Sequence, residues 1–243
     1  MNELIEEYRK LAVNNLFSVE SFSKVWPIWK NKIDLNFQNR TVDELTELGA
    51  HLSEIFKSTS KGRNQSSVSA GGTAWENLVC WYLNLCSIGS RTVIVRPVKN
   101  VLPDPIKNAI TVNYGNFTSN TEADIIAITF FEKDDDYYEI IKSKTIVDKI
   151  TDFITYNFDK LEINIIQCKT NWNDNAQIPM LWDMIYKVKH FENNNISIGK
   201  NNFSIKDCKS FSYSFVTVPT VKLENIKPNS VAVKRVANLS GGV

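Results

Sequence analysis

Asp124 stands directly before the apolar run Ile125-Ile126-Ala127-Ile128, and a second, mostly apolar run over residues 163–166 delivers the triplet Gln167-Cys168-Lys169. Short runs rich in β-branched residues read as strands. An acid at the head of one strand and a polar-x-Lys triplet at the tail of another can meet on one sheet edge. This one requirement constrains the chain more than any other pattern in it, because it demands a sheet with covered faces and one chemically equipped end.

The chain has 243 residues, long enough for one large domain or for one domain with a smaller appendage. The expected division is a helical layer over residues 1–58, packed on a core over residues 59–243 that carries an insertion around residues 132–160. Six Trp and eight Tyr are spread through a chain that is 43% hydrophobic, which is a globular composition. The apolar runs are far too short to span a bilayer, and the first residues, Met-Asn-Glu-Leu-Ile-Glu-Glu, are acidic rather than signal-like, so no membrane association and a cytoplasmic location are expected. The cysteines at 80, 86, 168 and 208 form no C-x-x-C pair, and free, mostly buried thiols are expected rather than zinc ligands or a disulfide framework. A formal net charge of +1 excludes a protein that simply coats nucleic acid. The charge is uneven, however: from residue 197 onward there are seven Lys and Arg against two acids. An enzyme acting on nucleic acid needs basic charge only where it tracks phosphates.

Apolar spacing predicts helices through the first 58 residues. Leu4, Tyr8 and Leu11 make one stripe; Thr41 to Glu44 form a capping box that opens a helix carrying Leu45, Leu48, Leu52 and Phe56. Residues 58–72, rich in Ser, Gly and Asn, read as a mobile loop ending at Gly71-Gly72, with Thr73 as cap of a buried helix over residues 74–86. Trp75, Trp81 and Trp182 sit in apolar helical patterns and read as core. A strand is expected at residues 92–95, a loop around Pro103 and Pro105, and a second extended piece over residues 110–112. After the Asp124 strand come an acidic turn at residues 134–136, a helix with Ile146, Ile150, Phe153 and Ile154 at helical spacing, and the strand ending at Lys169. A helix over residues 178–188 and strands over residues 211–218 and 231–236 complete an α/β fold, a mixed sheet sandwiched by helices.

Glu76 on the first core helix, Asp124 at a strand start, Gln167-Cys168-Lys169 on the next strand and the helix beyond it together resemble the PD-(D/E)XK nuclease core shared by many type II restriction endonucleases. The resemblance covers roughly residues 73–219 and rests on four polar positions. It implies a restriction endonuclease-like core in which Asp124 is the central Mg²⁺ ligand and Glu76 an auxiliary one. The main-chain carbonyl of Cys168 is a further ligand, and Lys169 orients or polarises the attacking water. Gln167 stands where the family usually has Asp or Glu; either the metal is held by one fewer negative ligand, or Gln167 coordinates through its amide oxygen. Ala123 occupies the place of the Pro that names the motif. The chemistry of the residues agrees with the resemblance. Phosphodiester hydrolysis needs charge neutralisation and an activated water, which Mg²⁺ supplies with one or two carboxylates and no His or Cys. A neighbouring ammonium group stabilises the developing charge.

The segment after Lys169 is dense in amides. Asn171, Asn173, Asp174, Asn175 and Gln177 suit base edges, and a helix N-terminus following them suits a phosphate. Lys61, Arg63 and Ser69, with Ser66, Ser67 and the Gly pair, form a second stretch suited to phosphate contacts; Lys234 and Arg235 are a weaker third. The expected function is therefore that of a Mg²⁺-dependent, sequence-specific endodeoxyribonuclease of the type II restriction class. Its expected partners are double-stranded DNA, a second copy of the chain in a homodimer and, functionally rather than as a bound subunit, a cognate DNA methyltransferase. The alternatives are another nuclease of the same core, for repair or modified DNA, and a DNA-binding module without catalysis.

Overall fold

Strands form where the sequence places β-branched residues in short runs, and they assemble into a four-stranded sheet of order β1-β4-β5-β7. In the computed structural model, which describes residues 2–59, 66–119, 123–131, 145–170, 196–219, 222–230 and 233–234, these are β1 (Thr92–Val95), β4 (Ile125–Thr129), β5 (Glu162–Lys169) and β7 (Ser210–Thr217). β4 runs antiparallel to both β1 and β5, pairing Val95 with Ile126 and Ile125 with Ile166, while β7 is parallel to β5, with Lys169 opposite Thr217. The sheet is thus mixed. A smaller antiparallel sheet of order β3-β2-β6 joins β2 (Val112–Tyr114), β3 (Phe117–Ser119) and β6 (Ile196–Ile198). The second extended piece expected over residues 110–112 belongs to this sheet and starts at Val112, because Ile110 still closes a helix.

Helices cover both faces of the main sheet. On one face Val93, Val95, Ile126, Ile128, Ile163 and Ile165 pack with α1 (Asn2–Phe17), α6 (Asp104–Ala109) and α7 (Ile146–Thr155). On the other, Ile94, Ile125, Ile166 and Cys168 pack with α4 (Val42–Lys57) and α5 (Ser66–Cys86), behind which lie α2 (Glu20–Ser23) and α3 (Trp26–Asn36). The expected helix from Ile146 is α7, started by a reciprocal box in which Thr145 Oγ1 accepts from the Asp148 N–H while the Asp148 carboxylate accepts from the Thr145 N–H. It buries Ile150, Phe153 and Ile154, and Phe153 stacks on Phe131 with centroids 4.9 Å apart. At α4, Thr41 Oγ1 caps the Glu44 N–H, but the Glu44 carboxylate reaches back to Asn39, two residues beyond the expected partner. Gly49 sits mid-helix because Tyr82 of α5 lies where a side chain would go; the Tyr82 hydroxyl donates to the Leu45 carbonyl at 3.0 Å. Among the described residues no helix is long and apolar enough to cross a membrane.

Several expectations need correction. The buried helix starts at Ser66, not at residue 74, so Gly71, Gly72 and Thr73 are helical and Thr73 is no cap. Gly71 is buried, and the helix runs through both glycines although each costs it roughly 1 kcal/mol. Around Pro103 and Pro105 the chain forms α6 rather than a loop, since a proline in the first turn has no amide hydrogen to lose and a preset φ. In α1 the buried stripe is Ile5, Tyr8, Ala12 and Leu16, with Leu4 and Leu11 on its flank. Val233 and Lys234 are helical where a strand was expected over residues 231–236. The expected acidic turn at residues 134–136, the helix over residues 178–188 and Trp182 lie outside the described residues; Trp75 is core, packed on Phe56.

The outer edge of β1 is closed by side chains. Asn84 on α5 donates to the Ile94 carbonyl at 2.7 Å and accepts from the Ile94 N–H at 3.2 Å, acting as one rung of a further strand. Arg9 on α1, only 3% exposed, donates to the carbonyls of Thr92 and Ser90 while its remaining donors are taken by Glu6. Replacing Asn84 by Leu leaves two buried main-chain groups without partners, and a loss of about 2–4 kcal/mol of unfolding free energy is expected in urea denaturation with an unchanged slope.

Candidate functional site

At one end of the main sheet the tails of β1, β5 and β7 meet the head of β4. This follows from direction alone: β4 is antiparallel to both of its neighbours, so the residue entering it lies beside the residues leaving β1 and β5. Extending the register past Ile125 and Ile166 sets Asp124 level with Gln167. The two strands are also tied there by a side chain. Asp124 Oδ2 accepts the Cys168 N–H at 2.8 Å, taking the place of a main-chain carbonyl at the end of the ladder. The carboxylate is thereby fixed in position where the sheet stops, with one oxygen engaged.

The two-residue period of β5 sets Gln167 and Lys169 on the face of Ile163 and Ile165, and Cys168 on the face of Ile166, beneath α5. Gln167 and Cys168 are buried, at 8% and 7% exposure; Lys169 is half-buried. Burial pushes the Cys168 thiol well above the usual thiol range, and the negative charges of Asp124 and Glu76 push it further the same way. That thiol is neutral, so Cys168 contributes its main chain to this end of the sheet rather than a nucleophile or a thiolate ligand.

Glu76 arrives from α5. Val79 and Cys80 on its face of the helix are buried, and the carboxylate has the partner that such surroundings demand. The partner is Arg96, one residue past β1, whose Nη2 lies 2.7 Å from Glu76 Oε2. Burial raises the proton affinity of Glu76; Arg96 opposes this, Asp124 adds to it and Lys169 opposes it. Arg96, Asp124 and Lys169 therefore all lie near enough to the Glu76 carboxylate to act on it at this sheet end. Sequence reasoning found three of the four. Arg96 was missed, although a basic residue directly after a buried strand beside an acid on a buried helix was a signal for it.

The donor set is one of hard oxygen atoms. Among the described residues no group of three or more His, Cys, Asp or Glu side chains is placed to hold a metal ion, which leaves Asp124 and Glu76 as a pair of carboxylates. Such a pair, with main-chain carbonyl and amide oxygens, suits Mg²⁺, which keeps several waters and needs few protein ligands, and does not suit zinc. The residues present fit a divalent cation of that kind. The expected DNA-contacting residues Lys61, Arg63, Asn171, Asn173, Asp174, Asn175 and Gln177 lie outside the described residues, as does Arg235; Ser69 lies in the first turns of α5. No protein family, curated protein or solved structure matches the chain.

Asp124 has a structural duty separable from any chemistry. Asp124→Ala leaves the Cys168 N–H without its acceptor and is expected to cost about 1–3 kcal/mol, whereas Asp124→Asn keeps an oxygen there and costs less than half as much. Chemical denaturation of the two variants beside the wild type measures the difference.

Proposed function

We propose that the sheet end formed by Glu76, Asp124, Gln167, Cys168 and Lys169 is a Mg²⁺-dependent phosphodiesterase site, and that the chain is a sequence-specific endodeoxyribonuclease of the type II restriction class with a PD-(D/E)XK, restriction endonuclease-like core. One observation carries the reading: two carboxylates and a lysine, contributed by a helix and two antiparallel strands, gather at a single sheet end, where Asp124 and Lys169 both act on Glu76. Half-buried groups of both signs gathered at a strand terminus make this sheet end a functional-site candidate.

In this reading Asp124 and Glu76 hold the cation, joined by the Cys168 carbonyl and by the Gln167 amide oxygen. Bound Mg²⁺ supplies neutralisation of the phosphate oxygens and an acidified water. Lys169 sits at the end of the same strand as Gln167, where its ammonium group orients the attacking water and stabilises the charge that develops on the phosphate. Asp124 is positioned without relying on the cation, because its hydrogen bond to the Cys168 main chain is already made. The substrate is duplex DNA, read by the amide-rich segment over residues 171–177 and tracked by Lys61, Arg63 and Ser69. A homodimer presents two such sites to two strands, and a cognate methyltransferase protects the host's own DNA.

Gln167 in the place of an acid favours a second reading, a DNA-binding module without catalysis, and the same experiment separates the two. Incubation of the purified protein with phage DNA and Mg²⁺ is expected to give discrete fragments with uniform ends. Lys169→Ala and Asp124→Ala are each expected to slow cleavage by about 10²-fold or more. Cleavage that persists in both variants removes the assignment of the site. A wild type that binds DNA but cuts neither with Mg²⁺ nor with Mn²⁺ supports the binding module, and exonucleolytic ladders or a requirement for methylated bases support the other nucleases of the same core.

A further inference from the structure

Among the described residues two largely buried arginines face a glutamate, and they are built differently. Arg9 engages every guanidinium nitrogen: Nε and Nη2 on Glu6, Nη1 on the Thr92 carbonyl, Nη2 also on the Ser90 carbonyl. It is a structural arginine, tying α1 to the edge of the sheet. Arg96 makes one bond, from Nη2 to Glu76 Oε2, and its Nε is buried with no acceptor among the described residues. Both members of that pair are shielded, with side chains 15% and 17% exposed. A buried N–H without an acceptor is uncommon and calls for a reason.

We propose that Arg96 is an exchangeable counter-ion of the site: it neutralises Glu76 while no divalent cation is bound and competes with the cation for that carboxylate when one arrives. The inference rests on the reading of Glu76 and Asp124 as cation ligands. Its basis is the charge balance at the sheet end. The shielded Glu76 carboxylate meets one guanidinium nitrogen at 2.7 Å, and no other ion-pair partner of Glu76 is present among the described residues. Without Arg96 that shielded carboxylate would have no ion-pair partner among the described residues. With Arg96 in place it is held and oriented by an opposite charge, at the cost of weaker cation binding. A guanidinium held by one hydrogen bond, one residue beyond the rigid strand, gives way more readily than one fixed at every nitrogen.

The test is Mn²⁺ binding followed by calorimetry and by loss of the free-ion electron paramagnetic resonance signal. Wild type, Arg96→Gln, Arg96→Lys and Asp124→Ala are compared in the absence of DNA, with circular dichroism as the check on folding. The wild type is expected to bind Mn²⁺ in a manner lost in Asp124→Ala. Arg96→Gln is expected to bind it about tenfold more tightly, and Arg96→Lys, which keeps the charge, within about threefold of wild type. A structural role predicts the opposite sign, because loss of a supporting contact loosens the site and weakens binding. Equal or weaker binding in folded Arg96→Gln, while wild type binds through Asp124, overturns the inference and leaves the functional reading standing. Absence of Asp124-dependent binding in wild type overturns both. In wild type alone, the Arg96 Nε–H resonance is expected to move on titration with Mg²⁺, and an unmoved resonance at saturation also overturns the inference.

Discussion

The antiparallel register of β4 on β5 is the constraint on which the site depends. Pairing Ile125 with Ile166 buries both under α5, sends Ile126 and Ile165 to the opposite core, and leaves Asp124 level with Gln167 just where the ladder ends. A slip of one residue would turn every one of these side chains to the other face, which is why two apolar cores fix the register so firmly. The Asp124 carboxylate then locks the end by accepting the Cys168 N–H. Fold stability and site geometry thus share one residue, and the acid is held in place by the same ladder that it terminates.

Burial on both sides of the sheet has an electrostatic consequence. Because α5 covers the face from which Glu76 approaches, its carboxylate is desolvated, and desolvation makes its neighbours matter: Arg96, Asp124 and Lys169 all affect its protonation. In an open surface cluster, solvent would screen the same charges into near independence. Nearby thiols experience the opposite outcome of the same physics. Cys80, fully buried between α5 and β1, is pushed up to about 12 and stays neutral, as does Cys168. The site's chemistry is therefore carried by oxygen and nitrogen.

Much of this was legible in the sequence because it depends on short-range periodicity. The strands at Thr92–Val95, Ile125–Thr129 and Glu162–Lys169 follow from β-branched runs, the strand at Ser210–Thr217 from alternating aromatic residues, and the helix from Ile146 from apolar spacing. What escaped depends on contacts distant in sequence. Gly71 and Gly72 look like loop residues until the helix around them is packed, and Pro103 and Pro105 look like breakers until one of them stands in a first turn. Likewise, Arg96 becomes a member of the site only when β1 is laid alongside α5, twenty residues away from Glu76 in the chain. Glu76, Asp124 and Lys169 were recognisable earlier because each occupies a position that its own local element defines: a helix face, a strand head, a strand tail.

The central claim is that Asp124 and Glu76 together form the seat of a divalent cation. Anomalous diffraction from crystals of the protein soaked in Mn²⁺ tests it most directly. The account predicts a peak at coordination distance from the Asp124 carboxylate, on the side away from the Cys168 N–H and within reach of Glu76. A peak at other carboxylates with none at Asp124, or a soaked crystal in which Arg96 and Glu76 remain paired and no cation binds, would contradict it.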